Sequence, residues 1–271
     1  TRARRRRGVL MPASLQSAAR STPAASPGLY AWATVAEFDF ALEPDQTISV
    51  GALTFTDQIT GLPVVFAAAN GAAIVSGKLV LSPAAGSQLS VTNGSTDTAA
   101  RVDVALASLF AAYDGEALAL GASLSAVTLG ENGEAFGLMV NGPVRMGGGT
   151  LGHGYSAEIR HNGTNPVRST RYQSGSTGVQ ALSTAAYASA RALALRVDGF
   201  RPVACYGTAE ADALTPEALA YTGPVGVYGS NSGGSPLGAS GARLGLFACG
   251  GATSGPDVSF TRFILRALKA L

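Results

Sequence analysis

Apolar and polar positions alternate along most of this chain in short runs, the period-two pattern of half-buried strands. The clearest runs lie in the C-terminal third: Leu193-Ala194-Leu195-Arg196-Val197-Asp198-Gly199, Ala242-Arg243-Leu244-Gly245-Leu246-Phe247-Ala248, and Val258-Ser259-Phe260-Thr261-Arg262-Phe263-Ile264-Leu265. Upstream, strands are predicted at Thr47–Val50, Ala52–Phe55, Val64–Phe66, Ala73–Val75, Lys78–Ser82, Gln88–Thr92, Arg101–Leu106, Ala117–Leu120, Ser123–Thr128, Phe136–Val140, Tyr155–His161, Arg168–Gln173, Pro202–Tyr206 and Val225–Tyr228. Turn signals separate them, among them Ser76-Gly77, Asn93-Gly94 and Asn132-Gly133. Regular punctuation of this kind predicts an all-β fold, an antiparallel two-sheet sandwich. Helix-like runs are few and short: Leu182–Arg191, Ser108–Tyr113 and Pro216–Tyr221.

The first 45 residues read differently. Arg2, Arg4, Arg5, Arg6, Arg7 and Arg20 precede any acidic residue, amid Ala, Ser and Pro. Such composition predicts an extended basic arm over residues 1–45, ending in an aromatic cluster with Trp32 as its anchor, before a sandwich domain at 46–271. Outside those six arginines, 13 basic residues stand against 17 acidic ones, so a net charge of +2 hides a mildly acidic body. Arg4, Arg5, Arg6 and Arg7 suit a polyanion or a partner surface, with weak nucleic-acid contact through phosphates.

Charged residues are only 13% of the chain and hydrophobic ones 46%, which predicts a large core and a surface rich in Gly, Ser, Thr and Ala. No apolar run is long enough for a membrane span, so no membrane contact is expected. An Arg- and Ser-rich start resembles a targeting segment, but its apolar stretch is short and broken. An N-terminal Thr is left equally by trimming of an initiator Met or by processing upstream. Cys205 and Cys249 are expected either as two buried thiols or as one disulfide between strands. No Cys/His cluster points to zinc and no acidic loop to calcium, so no metal or other cofactor is expected.

Several segments, in order, resemble the concanavalin A-like lectin/glucanase superfamily. They are Ser76–Ser82, Ala135–Asn141, Gly154–Arg160, Leu193–Gly199, Arg243–Ala248 and Val258–Phe263, where Thr261 replaces a common Asp. The resemblance covers about residues 73–271. It implies a jelly roll of two curved antiparallel sheets whose concave face often binds glycans. Enzymes of that superfamily carry paired carboxylates on one strand as E-x-D-x-x-E, a string this chain lacks. The nearest pair, Glu131 and Glu134, falls in a turn and reads as solvated loop carboxylates. His153 and His161 flank one strand without an identifiable third partner. Gly147-Gly148-Gly149 lacks the rest of a P-loop, and no nucleophile elbow is present.

A glycan-binding face is the stronger expectation. Alternation places Ser156, Glu158 and Arg160 opposite Tyr155, Ala157 and Ile159, and Arg196 and Asp198 opposite Leu193, Leu195 and Val197. If these strands share a sheet, Glu158, Arg160, Arg196 and Asp198 form one polar face, with Tyr172, Tyr206 and Tyr228 as aromatic platforms. Low charge, the arm and the missing catalytic signature together predict a non-enzymatic structural or attachment component of a phage-like virion. It would assemble with copies of itself and other particle proteins through arm and sheet edges. The alternatives are a glycan-binding, lectin-like module, extracellular or on a cell surface, and a glycan hydrolase or lyase with an atypical site.

Overall fold

The computed structural model describes residues 30–48, 51–89, 98–141, 153–174, 177–198, 201–220 and 242–271. Its strands, in chain order, begin with β1 (Tyr30–Asp39), β2 (Gln46–Thr47), β3 (Ala52–Thr56), β4 (Pro63–Ala69), β5 (Ala72–Val75) and β6 (Lys78–Leu81). The middle holds β7 (Ala100–Ala105), β8 (Leu118–Leu124), β9 (Ala135–Asn141), β10 (His153–His161), β11 (Pro166–Ser174) and β12 (Thr177–Ala186). The last are β13 (Ala192–Asp198), β14 (Arg201–Gly207), β15 (Arg243–Cys249) and β16 (Val258–Ala270). They form two eight-stranded sheets. Sheet A runs β14-β13-β8-β16-β6-β5-β2, with β1 on β16, and sheet B runs β12-β11-β10-β9-β15-β7-β4-β3. All recorded pairings are antiparallel. The fold is therefore the predicted all-β, antiparallel two-sheet sandwich.

Alternation explains how the sheets meet. Phe136, Leu138 and Val140 of β9, Tyr155, Ala157 and Ile159 of β10, and Leu244, Leu246 and Ala248 of β15 face sheet A, where Leu118, Leu120, Leu193, Leu195, Phe263 and Leu265 complete one core. Four phenylalanines knit one end: the ring of Phe38 (sheet A) stands edge-on to Phe66 (sheet B) at 5.0 Å, with Phe55 and Phe263 beside them. Each buried ring contributes roughly 1.5–3 kcal/mol of hydrophobic stabilisation. The β5–β6 hairpin turns on Ser76 (φ 51°) and Gly77 (φ 71°). Two successive positive φ angles are what a two-residue type I′ turn requires.

Three expectations about elements are corrected. The aromatic segment assigned to the arm is a strand: β1 pairs with β16 from Tyr30 to Asp39, and Ala36 and Phe38 sit in the core. Burial of these apolar side chains outweighs the basic, Pro-rich character of what precedes them, so the sandwich includes residues 30–45. Leu182–Arg191 is not a helix; its first half, Leu182–Ala186, belongs to β12, which pairs with β11, and the rest is irregular. The predicted strands around Ala117–Leu120 and Ser123–Thr128 are one strand, β8, running through Gly121. Among the described residues the helical structure is slight: α1 (Leu106–Leu109) and three 3-10 turns at Phe40–Leu42, Glu210–Leu214 and Pro216–Ala218. Arg4–Arg7 and Val225–Tyr228 lie outside the described residues. No helix among the described residues is long and apolar enough to cross a membrane.

Candidate functional site

On every core strand of sheet B, the residues between the inward-facing apolar ones point to the outer face. Register places them in rows. Ser156 (β10) lies beside Met139 (β9), which lies beside Gly245 (β15) and then Asp103 (β7). The next row is Ser169 (β11), Glu158, Gly137, Phe247 and Arg101. The two glycines are required there. A Cβ on Gly137 would overlap the Ala157 carbonyl oxygen, and one on Gly245 would overlap that of Val102.

This face has an open half and a covered half. On the open half, Asp103 is almost buried between two guanidinium groups. Arg243 Nε donates to Asp103 Oδ1, Arg243 Nη2 donates to the Asp103 carbonyl at 3.0 Å, and Arg101 Nε lies 3.5 Å from Asp103 Oδ2. The Arg243 side chain is 40% exposed, and Ala67 and Val65 (β4) continue the surface outward as exposed, uncharged positions. On the covered half, Glu158 is fully buried. Its carboxylate accepts from Ser169 Oγ at 2.8 Å and, at 3.5 Å, from Ser156 Oγ, and Arg171 Nη2 stands 3.6 Å away. Met139, Phe247 and Cys249 are buried beside it under Leu89. Burial pushes the Cys249 thiol up to about 12, and the Glu158 charge adds to that rise.

The predicted polar face is only partly assembled. Glu158 and Arg160 share the outer face of sheet B, as alternation required. Arg196 and Asp198 belong to β13, in sheet A, so they do not join them. Arg196 instead reaches the Glu217 carbonyl at 3.4 Å, beneath the segment 210–218. Tyr206 is no platform. It is buried in the core, its hydroxyl within hydrogen-bond reach of the carbonyls of Glu158 (3.2 Å) and Ser169 (2.8 Å) across the sandwich. Tyr172 lies on β11, but its side chain is outside what is described, as are those of Asp198 and His153. Trp32 is a half-buried residue of β1 whose carbonyl accepts from Arg266 Nη2 at 2.9 Å. Both cysteines are free and buried, in different sheets. Sequence reasoning missed Asp103 and Arg243. Charges at alternate positions of otherwise apolar strands were the available signal, whereas the register that joins them is a property of the fold.

Glu131 and Glu134 are not free loop carboxylates. Glu134 is buried and accepts from the amides of Gly130 (2.5 Å) and Glu131 (3.0 Å) and from Ser254 Oγ (3.1 Å). Glu131 accepts from the Thr253 amide (2.9 Å), the Thr253 hydroxyl and the Ser254 amide (3.3 Å). These bonds hold the Glu131 carboxyl below its ordinary value, the Thr253 hydroxyl contributing most. The pair is a latch between the β8–β9 and β15–β16 connections. His161 is buried, with Nδ1 accepting from the Gly163 amide at 3.2 Å. Among the described residues no group of His, Cys, Asp and Glu is arranged to hold a metal.

Glycoside cleavage by two carboxyl groups needs them roughly 5–9.5 Å apart. Glu158 and Asp103 are separated by three interstrand steps, about 14 Å at the usual spacing. Glu158 and Asp103 are therefore too far apart to form such a pair.

No protein-family model matches the sequence, and no curated protein does. Solved structures do. The GH43 BlXynB protein from Bacillus licheniformis is similar with a TM-score of 0.51 at 12% identity, over 85% of this chain and 39% of that one. The Xyloglucan PUL GH43B protein of Bacteroides ovatus gives 0.46 at 13% identity, over 88% and 40%. The kappa-carrageenase of Pseudoalteromonas carrageenovora, solved with a kappa-carrageenan oligotetrasaccharide, gives 0.46 at 7% identity, over 92% of this chain and 100% of that one. This chain thus spans about 39% of the BlXynB chain. Likeness at such identities establishes the fold. The expectation of a non-enzymatic component of a phage-like particle is corrected by these matches: none of the structures named is a virion protein, and a virion role or location has no support.

Proposed function

We propose that this chain acts on glycans as the β-sandwich part of a glycoside hydrolase, and that the saccharide lies across the outer face of sheet B. The observation that carries this reading is the Arg101–Asp103–Arg243 set on the central strands of that face. A carboxylate held between two guanidinium groups presents planar donors and acceptors in fixed positions, suited to neighbouring sugar hydroxyls. Gly137 and Gly245 add no side chain around it, and the uncharged residues Thr54 and Thr56 of β3 and Val65 and Ala67 of β4 continue the exposed surface outward. The fold shared with a GH43 protein supports the substrate class and the membership in the concanavalin A-like superfamily. The distance between Glu158 and Asp103 favours binding as the role of this face. An extracellular location accompanies this reading.

The test is a panel of xyloglucan, laminarin and kappa-carrageenan, followed by reducing-sugar release and by retardation in affinity electrophoresis. Release or retardation with at least one polymer, weakened by Asp103→Ala, is expected. Neither turnover nor retardation with any polymer would sink the proposal.

A further inference from the structure

The segment Pro83–Leu89 crosses the covered half of sheet B's outer face. Its inner residues Pro83, Ser87 and Leu89 are buried, and Ala84, Ala85, Gly86 and Gln88 face solvent. Seven hydrogen bonds to described residues hold it, three of them to the segment entering β7: the Gln88 amide donates to Thr98 Oγ1 (2.9 Å), and the amides of Thr98 (3.2 Å) and Ala99 (3.1 Å) donate to the Gln88 carbonyl. The Leu89 amide donates to Cys249 Sγ (3.1 Å) and Arg171 Nη1 donates to the Leu89 carbonyl (3.1 Å). The Gly250 amide donates to Ser87 Oγ (2.8 Å) and the Gly86 amide to the Gly251 carbonyl (2.5 Å). Close approach is built in at the far side: a Cβ on Gly250 or Gly255 would overlap the carbonyl oxygens of Ala84 or Pro83. The apolar grip is small by contrast. Leu89 is the segment's one member of a six-residue cluster separate from the main core.

What lies beneath is polar. Glu158, Ser156 and Ser169 are buried together, and Arg171 links the Glu158 carboxylate to the Leu89 carbonyl above it. Burying a carboxylate carries a desolvation cost that an apolar face would avoid. A permanent cover would gain nothing from that choice, whereas a cover that lifts exposes an acceptor with two hydroxyls beside it. Segments held by few apolar contacts open locally without global unfolding.

We propose that Pro83–Leu89 is a strap, and that it must lift before a saccharide reaches Glu158, so that the closed arrangement is a self-inhibited one. This rests on the reading that the outer face of sheet B takes glycan. Lifting leaves the Asp103 set in place and extends the binding surface by the Glu158–Ser156–Ser169 group.

Cys249 reports the opening, because its thiol is buried under Leu89. In a Cys205→Ala background, reaction of Cys249 with 5,5′-dithiobis(2-nitrobenzoate) is compared in the full chain with and without Leu89→Gly. Faster reaction than global unfolding permits, and a further increase of at least about tenfold in Leu89→Gly at unchanged secondary structure, is expected. Reaction only at the rate of global unfolding, or equal rates in both proteins, overturns the strap. The affinity for whichever polymer of the panel is retained is then measured in both. A gain of at least about threefold in Leu89→Gly is expected, and an unchanged affinity overturns the inhibitory role. Failure of both proteins to bind any glycan while Leu89→Gly labels faster marks the glycan reading, rather than the motion, as wrong, and with it the saccharide gate.

Discussion

The two outer faces of this sandwich are both covered in part, but by different means. On sheet A, the segment 210–218 packs on β8, β13 and β14, whose outward residues Ala119, Ala194 and Cys205 are buried and, like Gly121, carry small side chains. Gly121 is indispensable, since any Cβ there would overlap the Ala213 carbonyl oxygen and come within 2.8 Å of the Ile264 side chain. Polar ties join it to the sheet: Ser123 Oγ donates to the Glu210 carbonyl (2.7 Å), Thr261 to Glu210 Oε2 (3.2 Å) and Arg196 to the Glu217 carbonyl (3.4 Å), and Arg266 pairs with Glu217. On sheet B, the cover rests on a buried carboxylate, two serines and an arginine, and it leaves the Asp103 set open. A close-packed cover over small residues completes a core. A hydrogen-bonded cover over a charge carries a cost in stability, and that contrast supports placing the proposed site on sheet B.

The largest effect expected is on the structural side. Gly121→Ala forces the segment 210–218 off sheet A and lowers stability by about 3 kcal/mol, the upper end of overpacking costs. Urea denaturation checks this, and the outer face of sheet B should keep whatever glycan affinity it has. Arg171→Ala comes next. It removes a partner from buried Glu158 and from the Leu89 carbonyl, and about 2 kcal/mol of lost stability is expected, below the full cost of stripping a buried pair because Ser169 still donates. Unlike the first substitution, it should also speed Cys249 labelling. Ser123→Ala removes one tie of the sheet A cover, and a loss of about 1 kcal/mol in the same denaturation assay is expected, with no change at Cys249.

The smallest effect belongs to pH. The Glu131 carboxyl is held below its ordinary value, so its bonds to the Thr253–Ser254 turn contribute fully above the unfolded glutamate value, about 4.3. That contribution is lost as pH falls through the lower value in the folded protein. Because Gly250 and Gly251 of the same connection hold the sheet B strap, acid should loosen that strap before the sheet A cover. Hydrogen exchange of the Gly86 and Leu89 amides, followed downward in pH and corrected for intrinsic rates, measures it. In Glu131→Gln the acid-induced loosening should largely vanish.

Much of the fold was legible because alternation is local. Strands such as Arg101–Leu106, Tyr155–His161 and Arg243–Ala248 declare their inward and outward faces residue by residue. The failures have separate causes. Gly121 reads as a turn, yet it is a strand residue made small by the Ala213 carbonyl above it. The alanine-rich run after Leu182 has high helix propensity, yet β11 offers an edge whose hydrogen bonds decide its state. The aromatic run at Tyr30–Phe40 is masked by its basic neighbourhood, although Ala36 and Phe38 alternate into the core. The polar face was half legible for a deeper reason: whether β10 and β13 share a sheet depends on pairing between distant segments, which no local pattern reveals. The partnership of Asp103 with Arg243 was hidden by the same non-local register.

The most direct test of the account is the affinity of oligosaccharides, taken from whichever panel polymer is retained or cleaved, for the full chain and for Asp103→Ala, by isothermal titration calorimetry. The account predicts measurable binding that falls at least about tenfold in the variant, as expected when one charge-assisted recognition group is removed. Equal affinity in the two folded proteins would contradict the placement of the glycan on sheet B, and no binding in either would contradict the glycan itself.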